Sequence, residues 1–140
     1  MSSRVLKIKD GRLVKALQFG DGFKLCAVDS QPNDDTVYIE KHRSFNWIAF
    51  KFKLNHDNMV KDYFLKWNKQ SLELVPPDQL DSDSVEYWFE KHNYGGSEHY
   101  GLKTTRQPQK YVCISKKDRR RLFSLSDTMQ DLAQVKDEAK

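Results

Sequence analysis

An all-β fold closed into an antiparallel barrel follows from three features of this 140-residue sequence. Apolar and polar residues alternate in short runs along most of the chain, turn-forming clusters separate the runs, and one arrangement of runs recurs. Alternation with period 2 places successive side chains on opposite faces, as a half-buried strand requires. The runs are "LVKALQF" (13–19), "FKLCAV" (23–28), "TVYIEK" (36–41), "WIAFKFKL" (47–54), "YFLKW" (63–67), "SLELV" (71–75), "EYWFEKH" (86–92), "HYGLKTT" (99–105), "KYVCIS" (110–115) and "RLFSL" (121–125). Between them "GDG", "DSQPNDD", "NHDN", "WNKQS", "PPDQLDSDS", "NYGGS", "RQPQ" and "KKDRR" supply Gly, Asn, Asp or Pro where the chain reverses. Ten or eleven strands at this spacing predict a barrel or a sandwich.

The recurrence narrows the choice. Phe23–Ala27, Val37–Ile39 and Trp47–Phe52 form one set, Tyr63–Trp67, Leu72–Val75 and Tyr87–Phe89 a second, and Tyr111–Ile114 with Leu122–Leu125 the start of a third. Three copies of such a set predict a β-trefoil, in which six strands close a barrel and six more form hairpins that cap it. Closure removes the exposed strand edges that invite aggregation. The third set lacks a final aromatic strand. Its place is taken by "SDTMQDLAQVKDEAK", where Ser126 or Asp127 is suited to cap a helix bearing Met129, Leu132, Ala133 and Val135 on one side. The expected organisation is therefore one trefoil domain over residues 1–126 and a tail or short helix over 127–140.

Composition supports one compact core, since 38% of residues are apolar and 12% aromatic in a chain of single-domain length. With 24 Lys and Arg against 20 Asp and Glu, the net charge of +4 is too small and too interspersed to predict a nucleic-acid-binding face. Cys26 and Cys113 sit inside apolar alternations and read as reduced, buried core thiols, not as a disulfide framework. The N-terminal "MSSRVLKIKDG" has no apolar signal-peptide core, and no run approaches the ~20 apolar residues that span a bilayer.

The segment from Ser71 to Leu125 resembles the C-terminal half of an interleukin-1 family cytokine. The likeness lies in an ordered series: "SLELVPPD", an acidic loop, "EYWFEKHN", a polar turn, "HYGLKTTRQPQKYVCIS" and "RLFSL". Pro108, Tyr111, Cys113 and Ser115 stand where the family has a Pro-containing loop leading into an aromatic-led strand with a small polar residue. The resemblance implies a β-trefoil that binds a cell-surface protein receptor in immune signalling, as agonist or antagonist. It also implies secretion without a signal peptide, with a cytoplasmic location as the alternative. The family's closing aromatic strand is replaced here by the polar tail.

Two loops are candidate receptor contacts. In "EKHRSFNW", His42, Arg43 and Phe45 occupy a connection between strands, and loop aromatics and Arg are typical interface anchors; Phe45 serves equally well as a plug for the barrel end. The turn at His56, Asp57, Asn58 and Met59 is the second candidate. By resemblance, the first lies near a loop that these cytokines present to their receptor. A third candidate is the basic run Lys116, Lys117, Arg119, Arg120 and Arg121, which on a hairpin loop suits a sulfated glycan, a phosphate or an acidic surface. It reads equally as a solvated turn balancing Asp78–Asp83, or as a nuclear-import signal. Of His42, His56, His92 and His99, the pair His92 and His99 across the "NYGG" turn comes nearest to a metal site, but it has no visible third ligand and no recognised zinc spacing. Neither cysteine lies in an active-site motif, and no GxSxG elbow or phosphate-binding loop is present.

The expectation is a monomeric recognition protein with no cofactor, no small-molecule substrate and no catalysis. Two alternatives remain: an intracellular barrel similar in outline to a pleckstrin-homology domain, using its terminal helix and basic run to bind phosphoinositides or a protein partner, and a polyanion-binding trefoil.

Overall fold

A computed structural model describes residues 3–29, 36–69, 71–80, 84–93, 98–115 and 121–139. Twelve strands are formed: β1 (Arg4–Ile8), β2 (Leu13–Phe19), β3 (Gly22–Val28), β4 (Thr36–Lys41), β5 (Trp47–His56), β6 (Met59–Trp67), β7 (Leu72–Val75), β8 (Phe89–Asn93), β9 (Tyr100–Thr104), β10 (Tyr111–Ile114), β11 (Phe123–Ser126) and β12 (Val135–Ala139). Every pairing is antiparallel. Strands β1, β4, β5, β8, β9 and β12 pair in that order, and β12 returns to β1, so six strands close a ring. The hairpins β2–β3, β6–β7 and β10–β11 lie off the ring, and β3, β7 and β11 meet one another to cap one end. This is a β-trefoil with repeats β1–β4, β5–β8 and β9–β12.

The ring's inward face carries the apolar half of each alternation. Leu6 and Ile8 from β1, Val37 from β4, Ile48, Phe50 and Phe52 from β5, Phe89 from β8, Tyr100 and Leu102 from β9 and Val135 from β12 are all buried in one cluster. Residues directly opposite in an antiparallel pair share a face, and the registers Ile39↔Phe50, Ile48↔Phe89 and Ile8↔Val135 bring the apolar sets together. Both cysteines are free and buried in cap strands, and burial pushes the Cys113 thiol up.

Three expectations are corrected. The C-terminal segment is not helical. Ser126 Oγ accepts from the Thr128 amide at 3.2 Å in a local turn, Asp131 has a left-handed φ of 60° that breaks any helix, and the chain then forms β12. The domain's strands thus run on past residue 126. Segment "VKDEA" lacks apolar alternation because Val135, 2% exposed, is its one buried residue, and the next position on the same face is Asp137. Its charges are paired instead: Arg4 with Asp137 at 2.7 Å, Lys7 with Glu138 at 3.0 Å and Lys136 with Glu98 at 2.7 Å. This strand removes the helix on which the pleckstrin-homology-like architecture rested. The repeat is also shifted: Phe23–Ala27 falls in the third strand of its copy, whereas Tyr63–Trp67 and Tyr111–Ile114 fall in the second of theirs. The first set passed over β1 and β2 and took in β5, which is the first strand of the second copy. Finally, Tyr87 and Trp88 precede β8 and are not part of it.

Candidate functional site

The connection from β4 to β5 is short, and hydrogen bonds fix it from both sides. The His42 amide donates to the Trp47 carbonyl at 2.9 Å. His42 Nδ1 accepts from the amides of Ser44 and Phe45 at 3.1 and 3.3 Å, so the imidazole ring organises its own loop. Asn46 ties the loop to β8: its side-chain amide donates to the Lys91 carbonyl at 2.8 Å, and its own carbonyl accepts from the Lys91 amide at 2.9 Å.

Aromatic rings pack around this frame. His42 lies 5.1 Å from Trp47 and 4.9 Å, edge-on, from Trp88. Phe45 stacks on Trp47 with centroids 4.5 Å apart and planes at 23°. Tyr87 continues the row beside Trp88 at 5.1 Å. Trp88 is buried, and its carbonyl accepts from the Trp67 indole at 2.8 Å. Phe45 nevertheless remains 58% exposed, so it does not plug the barrel end. Arg43 is exposed beside it. The result is an aromatic platform whose outer ring faces solvent while its inner rings are immobilised. A binding partner would meet side chains whose ordering cost has already been met by folding.

The second candidate, at Asp57, Asn58 and Met59, is not part of this surface. Strand β5 runs ten residues from Trp47 to His56, so the two loops stand at opposite ends of it, roughly 30 Å apart. His56 pairs with Met59 across the hairpin, and Asp57 and Asn58 have φ of 53° and 61°. Left-handed backbone at both central residues is what two-residue hairpins of type I′ require. Met59 and Val60 project from this tip, 59% and 60% exposed. Of the basic run, Lys116, Lys117, Arg119 and Arg120 lie outside the described residues. Arg121 has a φ of 46°, and its carbonyl accepts from the Ala27 amide at 3.1 Å, which fixes the base of that loop against β3.

Beside the aromatic platform is the open end of the barrel. Arg4 Nε and Nη2 donate to one Asp137 carboxylate oxygen at 2.9 and 2.7 Å, and the Tyr100 hydroxyl donates to the other at 2.9 Å. Burial alone would raise the Asp137 pKa, but the bonds from Tyr100 and Arg4 outweigh it and hold the carboxyl below the usual range. Burial, reinforced by the Asp137 charge, pushes the Tyr100 hydroxyl well above its ordinary value. Sequence reasoning found neither this group nor Asn46, Trp47 and Trp88. For Trp47 the signal was available: it stands immediately after the loop it supports.

Among the described residues no three His, Cys, Asp or Glu side chains gather as a metal would need, and no helix is long and apolar enough to cross a membrane. No family model matches the sequence, and no curated protein does. Solved structures match by shape. A mutant of gallus interleukin-1 beta superposes with a TM-score of 0.64 at 14% identity, over 98% of this chain and 95% of that one. The BEL β-trefoil gives 0.64 at 12%, over 99% and 93%. The lysenin pore gives 0.69 at 5%; it spans all of this chain, which covers 46% of the lysenin chain. At such identities the likeness is one of fold.

Proposed function

We propose that this protein is a non-catalytic recognition module of the interleukin-1-like kind, binding a protein receptor through the β4–β5 loop with Phe45 and Arg43 as anchors. One observation carries the reading: a solvent-facing aromatic ring stacked on a fixed indole, in a loop bonded on both sides. Interface hot spots are enriched in aromatic residues and Arg, and they gain from being rigid before binding. The trefoil fold shared with gallus interleukin-1 beta supports the reading at the level of shape. Agonist and antagonist differ in a second receptor contact, and the β5–β6 tip at the far end of β5 is separate enough to provide one.

The test is binding of the purified protein to a panel of immunoglobulin-like receptor ectodomains by surface plasmon resonance. Phe45→Ala is expected to weaken an observed interaction at least about 30-fold, the magnitude of a hot spot, while leaving the unfolding temperature nearly unchanged. Absence of binding across the panel, or a Phe45→Ala variant that binds as the parent does, overturns the proposal.

A further inference from the structure

Period 2 should continue the apolar inner face of the barrel to its open end, yet charge takes over there. Arg4 stands two residues before Leu6 in β1, Lys41 two after Ile39 in β4, Lys91 two after Phe89 in β8 and Asp137 two after Val135 in β12. The registers place them on the core-facing side: Leu6 is opposite Asp137, Lys41 opposite Ile48 and Lys91 opposite Leu102. With Ile39, Ile48 and Tyr100 they line a cavity of about 360 Å³ to which all six barrel strands contribute.

The charges in this lining do not cancel. Both oxygens of Asp137, its one carboxylate, are engaged by Arg4 and Tyr100, and Arg4 Nη2 also donates to the Asp137 backbone carbonyl at 3.1 Å. Lys41 and Lys91 remain; among the described residues neither comes within ion-pair distance of a carboxylate, although Lys91 is near enough to help hold Asp137 ionised. Lys91 is held in place, its backbone clamped by Asn46 and its Nζ 4.4 Å from the centre of the Tyr100 ring. Lys41 is exposed and Lys91 half-buried, so both charges face the solvent-open mouth where an anion can reach them.

We infer that the open end of the barrel binds a small phosphate-bearing anion between Lys41 and Lys91. A phosphate monoester carries about −1.5 to −2 at neutral pH, which matches two lysines; a lone carboxylate leaves one of them uncompensated. Lysine binds phosphate as a point charge, without the planar fork that carboxylate recognition exploits. The volume is near the lower limit of ~300 Å³ for small-molecule sites, so it suits a phosphate with a short organic group resting on Ile39 and Ile48. The inference is independent of any receptor at Phe45.

The test uses inorganic phosphate, then glycerol 3-phosphate, in thermal-shift and NMR titrations at constant ionic strength, with chloride as control. A separate arm pellets vesicles of phosphatidylcholine with and without phosphatidate. Saturable binding to the soluble probes, weakened at least tenfold in Lys41→Met/Lys91→Met, supports a free phosphate ester; pelleting with phosphatidate that depends on the same two lysines supports a lipid headgroup. Lys61→Met, on the exposed β5–β6 hairpin, should bind as the parent does. The inference is overturned if phosphate and phosphatidate act no differently from their controls, if the double variant binds normally, or if Lys61→Met loses as much. Circular dichroism and unfolding of each variant without ligand establish that it is folded.

Discussion

The two ends of β5 both expose large apolar side chains, but they do so in opposite ways. At the Trp47 end Phe45 rests on an indole, and its loop is bonded to β8 through Asn46. At the His56 end Met59 and Val60 stand on a hairpin tip whose neighbours Asn55, Asp57, Asn58 and Lys61 are also exposed. Exposure alone therefore does not mark a recognition surface. A partner docking on Phe45 meets a preformed platform, whereas one docking on the tip must order the rotamer-rich Met59 side chain, at about 0.5–1.5 kcal/mol.

The largest expected effect separates these ends directly. Trp47→Ala removes the ring beneath Phe45 and beside His42, and should cost about 2–3 kcal/mol, below the full range for a wholly buried aromatic. At roughly 3–5 °C for each kcal/mol in a chain of this size, thermal unfolding followed by near-ultraviolet circular dichroism will register it. Met59→Ala should stay within about 0.5 kcal/mol of the parent, as exposed positions do. If the two variants lose equal stability, the β4–β5 loop is not the rigid end.

Next in size is the pH response of the open barrel end. Asp137 has a depressed native pKa, so its contribution is present above its unfolded value of about 3.9 and is lost as pH falls through the native one. Tyr100 has a raised native pKa, so its contribution is present below about 10 and is lost as pH rises beyond that. Asp137→Asn should cost about 2 kcal/mol at neutral pH, the scale of hydrogen bonds to a charged group. It should flatten the acid limb of a stability-against-pH curve measured by denaturant unfolding, and only reduce the alkaline limb, because burial of Tyr100 persists. An acid limb unchanged in the variant would assign that limb to other carboxylates.

How much of this was legible in the sequence depends on where apolar alternation carries the signal. Strands β2, β3, β5 and the C-terminal half of β6 announce themselves because their apolar residues alternate and are buried against the core or cap. Strands β1 and β12 are the first and last of the ring and pair with each other over five residues. They bury Leu6, Ile8 and Val135 in the core, but the strands are short, and the pairing and cross-strand ion pairs that join them are not visible in a local window. The loop residues His42, Arg43 and Phe45 were readable as types. Their support from Asn46, Lys91 and Trp88 was not, because it joins segments separated by the β6–β7 hairpin. The separation of the two candidate loops was concealed for a simpler reason: β5 continues through polar Asn55 and His56 after the apolar run ends at Leu54.

The smallest expected effect concerns the backbone of the hairpin tip and sharpens the comparison from the other side. Asp57 and Asn58 both hold left-handed φ, which Asn tolerates and glycine adopts without a Cβ penalty. Asn58→Gly converts the tip to Asp-Gly, a pair strongly preferred in type I′ hairpins. Relief of strain in the folded state is opposed by the greater freedom of glycine in the unfolded chain, so the net gain should be no more than about 0.5 kcal/mol. Careful calorimetry against the parent resolves a shift of that size. Because the tip is joined to the aromatic platform only through the length of β5, receptor or phosphate binding at the other end should be unchanged. A loss of binding in Asn58→Gly comparable to that in Phe45→Ala would mean that the two ends act together, and the contrast between them would have to be abandoned.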